Sequence, residues 1–550
     1  MRGSLHSFNR SVNRSKIFAL LVLSTIISFV LVYNSIDITD TVSVIIEKSQ
    51  NITKLEPETP KEEKPKQEEQ PKEPKEPIES VEITVRVKPE PQNVITKPKE
   101  LYNTVFQLIR DADPKVAPFN RYKSGARIPN VGFNDNSKIQ FSKEYLSEFL
   151  QLNETELEKM KESHSSIVPK FENITTKDIY KGDGIVFVGG GRFNWMALMS
   201  VKSLRNIGSE LPVEVMIPNQ ADYEADLCEN VLPSLNAKCL YLPEILGNET
   251  YSMLKFGGYQ YKSLALLVSS FKNVLLLDAD NLAAYVPDVI FRNEPFKSKG
   301  MIVWPDFWKR STSPDFYNIT GIEVSSDERV LPGFTENDKK YFPLHHMKGS
   351  LLDPTSESGQ FILNKETHLH DMFLALYYNS YGPKYYYPLL SQGVVGEGDK
   401  ETFLAASVAL QNTYFQVRRS VHAVGRFKKD GHFVGVAMGQ FDPIQDHLNS
   451  IAKTEEEKKG PRMLFVHSNF PKLHPVQLRE QRKLFEGEER VRMFGPMKGL
   501  VGYDFELFQF RNMEHLLCDL RIELDTFKKE NRTTMCQEIH QHVDFLVKHP

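Results

Sequence analysis

The sequence predicts an α/β fold built on parallel strands, held behind an N-terminal membrane anchor and an extended spacer. Three observations carry that expectation. GIVFVGG, beginning at Gly184, then the helical stretch NWMALMSVKSLRNIG, then VEVMIP follow one another in β-α-β order, which implies parallel strands. Ile17 to Tyr33 is an unbroken uncharged run. Between it and the α/β pattern lies a segment of Lys, Glu and Pro with little else in it.

The anchor comes first in the chain. Arg2, Arg10, Arg14 and Lys16 precede the apolar run, and Asp37 and Asp40 follow it. Basic residues stay cytosolic, so residues 1–16 read as a cytosolic tail, 17–33 as the transmembrane span and the rest as luminal. The run is longer than the apolar core of most signal peptides, and no A-x-A-like cleavage site follows, which favours a retained anchor. It is also at the short end for a bilayer, which suits a thinner early secretory or Golgi membrane over the plasma membrane.

Residues 34–100 form the predicted stem. Its stretch from Lys54 to Glu100, as in TPKEEKPKQEEQPKEPKEP, has too few apolar residues to bury a core, and its prolines keep it extended. Beyond the anchor, N-x-S/T sequons fall at Asn51, Asn153, Asn173, Asn248, Asn318 and Asn531, usable only in the secretory lumen; Asn9 and Asn13 also match but lie in the predicted cytosolic tail. The four cysteines, Cys228, Cys239, Cys518 and Cys536, suit two bridges in that compartment, and three pairings are open. They lack the CxxC spacing of a zinc site.

Residues 101–550 form the predicted luminal domain. At 550 residues with 40% hydrophobic and 25% charged, the chain has the composition of a globular protein. A net charge of −4 shows no basic stripe for nucleic acid. The aromatic content reads mainly as core packing. Residues 101–181 read as helix and loop, with Ser142 capping a helix that runs through FSKEYLSEFLQLNETELEKMKESH.

The α/β layer follows, of the kind that binds nucleotides. The turn Gly189, Gly190, Gly191, Arg192 lies at the carboxyl end of the first strand, where such sheets hold ligands; it reads otherwise as a tight strand–helix turn. YKSLALLVSSF is helical, and Lys262 at its start reads equally as a diphosphate contact or a solvated lysine. NVLLLDADN is a buried strand, Val274 to Leu277, that ends in Asp278-Ala279-Asp280.

Two carboxylates at such a strand end suit a hard divalent ion shared with a diphosphate. The same triplet at Asp111-Ala112-Asp113 has no apolar strand feeding it and reads as a solvated loop. In RMLFVHSNFPKL a second apolar run ends at His467. This is the natural third ligand, and its imidazole favours Mn²⁺; His345 and His346 stand behind it as alternatives. DPTSESGQFILNK places Glu357, Ser358, Gly359 and Gln360 before an apolar strand, where they can meet sugar hydroxyls. VGEGDKETF opens a helix at Asp399. Both stretches read equally as capped loops.

The blocks GIVFVGGGR, YKSLALLVSSFKNVLLLDADN, VWPDFWKRS, DPTSESGQ, GEGDKETF and HSNFPKL resemble the fungal Golgi α-mannosyltransferases of glycosyltransferase family 71. GRFKKDGHFVGVAMGQFDPIQD is most similar to the subgroup that adds α-1,2-mannose branches to the outer chain of N-glycan mannan. The resemblance implies a GT-A fold (a Rossmann-like mixed sheet flanked by helices), a GDP-mannose donor, Mn²⁺ and retention of anomeric configuration. It carries the metal role onto Asp278 and Asp280, with His467 in the matching HSNFPKL. Asp399 and Glu357 are then the carboxylate candidates for the retaining step. The expected acceptor is mannan or the N-glycan outer chain at a Golgi membrane. An α-1,3 linkage, or an inactive tethered binding protein on the same fold, is the competing expectation; one span excludes a transporter.

Overall fold

The computed structural model describes residues 93–123, 127–135, 139–331, 342–460 and 462–550. The span 17–33, most of the stem and Asn51 lie outside them, and among the described residues no helix is long and apolar enough to cross a membrane. The described chain already holds structure inside the segment read as stem. Strand β1 (Asn93–Ile95) pairs parallel with β2 (Ile174–Thr176), burying Ile95. A helix starts at Pro98, where proline's fixed φ and missing N–H suit the first turn.

Seven strands form the main sheet: β3 (Asp183–Val188), β4 (Val213–Ile217), β5 (Ala237–Tyr241), β6 (Asn273–Leu277), β8 (Met301–Pro305), β9 (Ser356–Asn364) and β10 (Phe415–Gln416). The short β7 (Asn281–Ala283) belongs elsewhere. The sheet's order is β10-β8-β9-β6-β3-β4-β5. β3, β4, β5 and β6 are parallel, as their apolar runs require for strands covered on both faces. β9 reverses direction against both β6 and β8, so the sheet is mixed. Glu357, Ser358, Gly359 and Gln360 therefore lie within β9 and not before it, and all four side-chain positions sit in the interior.

A second sheet, β11-β12-β13-β7, uses β11 (His422–Phe427), β12 (Phe433–Phe441) and β13 (Met463–His467). β13 runs antiparallel to β7 with His467 opposite Asn281. Between β11 and β12 the chain turns, and Lys428 N donates to His432 O at 2.8 Å.

Helix Tyr261–Val268 packs on β3 and β6, Leu369–Ser380 packs between it and Thr402–Ala409, and Phe403 of the last stacks on Phe361 of β9. Tyrosines 377, 378, 381, 385 and 386 fill the core beside them, where Tyr378 and Tyr386 rings lie 4.5 Å apart. The stretch read as one helix from Ser142 is two. Ser142 caps only Lys143–Leu146, and Asn153 starts Glu154–Glu172 with a capping box to Glu156. The reciprocal side-chain bonds of that box define a new helix start. Cysteine pairing is Cys228–Cys239 and Cys518–Cys536.

Candidate active site

β6 emerges at Asp278, and the chain turns through Ala279 and Asp280 straight into β7. The two aspartates thus sit on the bend between the two sheets. Asp278 N donates to Gly359 O of β9 at 2.9 Å, and Ser468 N donates to Asp280 O at 3.0 Å. Asn281 locks the junction: its Nδ2 donates to Gly359 O at 2.7 Å and to Gln360 Oε1 at 2.6 Å. The opposition of His467 to Asn281 across β13 and β7 brings the imidazole to the carboxylates. His467 Nε2 is 3.4 Å from Asp280 Oδ1 and 3.9 Å from Asp278 Oδ2.

The ligand atoms of Asp278, Asp280 and His467 all lie within 4.8 Å of one another. Ligands roughly 2.1 Å from a small divalent ion stand about 3–4 Å apart, so this donor set fits one. His345 and His346 are not in the cluster. His345 is fully buried with Nδ1 3.1 Å from Tyr317 Oη, and His346 lies 3.4 Å from Asp353.

Positive charge already gathers on the carboxylates. Burial lowers the His467 imidazole, but Asp280 and Glu357 outweigh it and carry it up to about 10. Burial raises Asp280, yet His467 and Lys472 hold it well below the usual carboxylate range. Asp278 stays raised by burial, partly offset by Lys262 and His467. An imidazole must be neutral to ligate, so a metal held by Asp278, Asp280 and His467 would displace the His467 proton.

Glycine at 359 is a condition of this geometry. A Cβ there would lie 2.5 Å from His467 Nδ1 and 2.9 Å from Glu357 Oε1. Glu357 Oε1 accepts from Gly359 N at 2.6 Å and lies 3.3 Å from His467 Nδ1, while its buried Oε2 has no hydrogen-bond partner.

Lys262 is not a solvated lysine. It is buried, donating to Asp278 Oδ2 at 2.9 Å and to Ser358 Oγ at 3.0 Å, with Asp399 Oδ2 at 3.5 Å. Burial works to lower its ammonium, but Asp278 and Asp399 raise it overall. Ser358 Oγ donates to Asp399 Oδ2 at 3.0 Å, and burial pushes the Asp399 carboxyl up. The helical turn that carries Asp399 is pinned by its neighbour. Buried Glu401 pairs with buried Arg310 and accepts from Ser356 N at 3.1 Å.

Gly190, Gly191 and Arg192 stand at the end of β3, next to β6 in the sheet, and are not part of the cluster. Gly190 has φ 106°, a conformation glycine takes without penalty. Its N–H donates to Asn194 Oδ1 at 2.7 Å, and Asn194 Nδ2 donates to Glu224 Oε1 at 2.7 Å. Arg192 is exposed. Gln360 is fully buried, its oxygen taken by Asn281.

Sequence reasoning assigned no role to Lys472, which pairs with Asp280, or to Asn194 and the Arg310–Glu401 pair. A basic residue close behind a strand-end histidine was the available signal for Lys472. The buried pair has no local signature.

Residues 182–442 match the mannosyltransferase family Mannosyl_trans3. With that match on an α/β sheet carrying an Asp–Asp–His cluster at its carboxyl edge, the molecule is a glycosyltransferase. The chain is 45% identical over 509 residues to the alpha-1,2-mannosyltransferase MNN21 of Candida albicans, covering 84% of this chain and 77% of that one. Against the alpha-1,2-mannosyltransferase MNN2 of Saccharomyces cerevisiae it is 37% identical over 476 residues, covering 77% and 78%. The chain belongs to this fungal mannosyltransferase family. Among solved structures, the galactosyltransferase LgtC in complex with donor and acceptor sugar analogs covers 43% of this chain and 73% of that one. Its TM-score of 0.24 at 13% identity is too low to carry an argument.

Proposed function

We propose that this chain is a retaining α-1,2-mannosyltransferase of GT-A type that moves mannose from GDP-mannose to α-mannoside acceptors of the N-glycan outer chain, with Mn²⁺ as cofactor. The carrying observation is the convergence of Asp278, Asp280 and His467 in a chain whose relatives are named alpha-1,2-mannosyltransferases. An imidazole among two carboxylates favours Mn²⁺ over Mg²⁺. When bound, the ion supplies positive charge against the diphosphate leaving group.

The chain's own residues do the rest. Lys262 holds Asp278 and Asp399 in register and adds a second buried cation near the leaving group. Asn194 fixes the Gly190 turn beside it. In a retaining transfer the bond from C1 to the diphosphate oxygen breaks, and the acceptor oxygen bonds to C1 on the same face. Its proton passes to the departing phosphate oxygen. Glu357, with one buried oxygen unpartnered, and Asp399 are the carboxylates within reach of the Asp–Asp–His cluster and Lys262.

A type II Golgi placement with a luminal catalytic domain follows from the N-terminal charge pattern. It is supported by the exposure of Asn153, Asn173, Asn248, Asn318 and Asn531. Incubating the full chain with GDP-mannose, Mn²⁺ and an α-linked mannobiose tests the reading; the product gains one α-1,2-linked mannose. A folded protein that binds GDP-mannose but transfers no mannose under any divalent ion contradicts it and returns the tethered binding protein. An α-1,3-linked product contradicts the linkage.

A further inference from the structure

Tyr259 is a large ring left outside. It is 63% exposed, although the residues that follow it, Gln260 and Lys262, are buried. It sits in the turn Gly258–Gln260 that leads into helix Tyr261–Val268, three residues before Lys262. Its ring lies across the backbone just ahead of Asp399, since a Cβ at Gly398 would meet the ring at 3.2 Å. A Cβ at Gly257 or Gly258, the two residues before it, would meet nothing within 4 Å.

A polar pair lies against the same loop, at Gly396, two residues before the glycine that meets the ring. Lys400 Nζ donates to Asp306 Oδ2 at 2.6 Å, with side chains only 9% and 11% exposed. Asp306 follows β8 directly, at the same sheet edge as Asp278. Gly396 leaves room for the ammonium, because a Cβ there would lie 2.7 Å from Lys400 Nζ.

These contacts form a path outward from the metal ligands. Asp278 touches Lys262, Lys262 faces Asp399, and Gly398, next to Asp399, lies under Tyr259. Every side chain on the path is wholly or largely buried except the last. A pyranose has one face of C–H bonds and a rim of hydroxyls. A flat exposed ring and a fixed carboxylate–ammonium pair, both against the Gly396–Gly398 loop, match both. With the donor's diphosphate drawn to the Asp–Asp–His end, the ring at the other end is placed for the second sugar.

We propose that Tyr259, Gly398 and the Asp306–Lys400 pair form the subsite for the acceptor mannoside, with one pyranose face on the tyrosine ring. This rests on the mannosyltransferase reading above. It is tested by measuring KM for α-linked mannobiose and for GDP-mannose separately in the full chain. Tyr259→Ala raises the mannobiose KM about tenfold or more, as loss of one good contact does, while the GDP-mannose KM stays within about twofold. Tyr259→Trp restores the mannobiose KM. Saturation-transfer NMR with mannobiose and GDP, where no turnover occurs, shows contact with the wild type and loses it in Tyr259→Ala. A wild type that transfers mannose while Tyr259→Ala keeps the mannobiose KM overturns the subsite alone. A raised GDP-mannose KM with the mannobiose KM unchanged moves Tyr259 to the donor and also overturns it. A wild type that binds GDP-mannose but transfers to no mannoside overturns the functional reading and the subsite with it.

Discussion

The chain contains Asp-Ala-Asp twice, and the two copies have nothing in common beyond their letters. At Asp111–Asp113 the triplet ends a helix. Asp111 is 60% exposed and pairs only with its neighbour Arg110, and Asp113 accepts from Lys115 N at 2.9 Å in a local turn. At Asp278–Asp280 the triplet is the hinge between two sheets, fed by an apolar parallel strand and faced by His467 and Lys262. The difference lies in what arrives at the same place. An exposed carboxylate is solvated and gains little from a partner. A carboxylate at a buried strand end needs a cation, and the fold sets Lys262, Lys472 and the His467 imidazole against this pair.

The largest test of that contrast is Asp280→Asn. It lowers transfer by roughly a thousandfold, about 4 kcal/mol of barrier. The fold survives, because the Lys472 side chain, already 23% exposed, turns to solvent. A melting temperature that collapses along with activity makes Asp280 a structural carboxylate and erases the contrast.

The histidines sharpen it at the next level. His467 sits among carboxylates, whereas burial drives His164 and His345 down to about 4. Both are folded in the neutral form. Their contribution is present above the unfolded value near 6.5 and is lost as pH falls toward 4. Full protonation of each costs about 3 kcal/mol. Urea midpoints therefore drop between pH 7 and pH 5; midpoints flat across that range remove these histidines from the account.

Gly359→Ala perturbs the site without replacing a ligand. Its new methyl meets the His467 ring, so the Mn²⁺ concentration for half-activation rises roughly tenfold, in the range seen for residues that orient ligands. Acceptor KM changes less. An unchanged Mn²⁺ midpoint in a folded Gly359→Ala enzyme separates His467 from the metal. At the bottom of the scale, Asp111→Asn leaves activity intact and shifts stability by no more than ~0.5 kcal/mol.

Much of this site was legible before any coordinates. The apolar runs of β3, β6 and β13 gave the strands, and the residues at their ends gave Asp278, Asp280 and His467, because a buried strand and its exit are local patterns. What was not legible depends on distant pairing. The reversal of β9 draws Glu357 to Gln360 into the sheet, and nothing in DPTSESGQ marks its direction. The burial of Lys262 comes from Asp278, Ser358 and Asp399, far apart in sequence. The Ser142 helix was drawn too long because the Asn153 capping box interrupts a pattern that is otherwise continuous in apolar spacing. The ring of Tyr259 carries no sequence signal either, since exposure is a property of the fold.

The central claim is that strand ends from two sheets meet on one ion. Pulsed electron paramagnetic resonance of Mn²⁺ bound with GDP reads this directly, through the coupling of the metal's electron spin to a ligand nitrogen. The account predicts imidazole nitrogen coupling in the wild type and in Asp111→Asn, and its loss in His467→Ala. Bound Mn²⁺ without nitrogen coupling in the wild type, or with coupling that survives in His467→Ala, contradicts it.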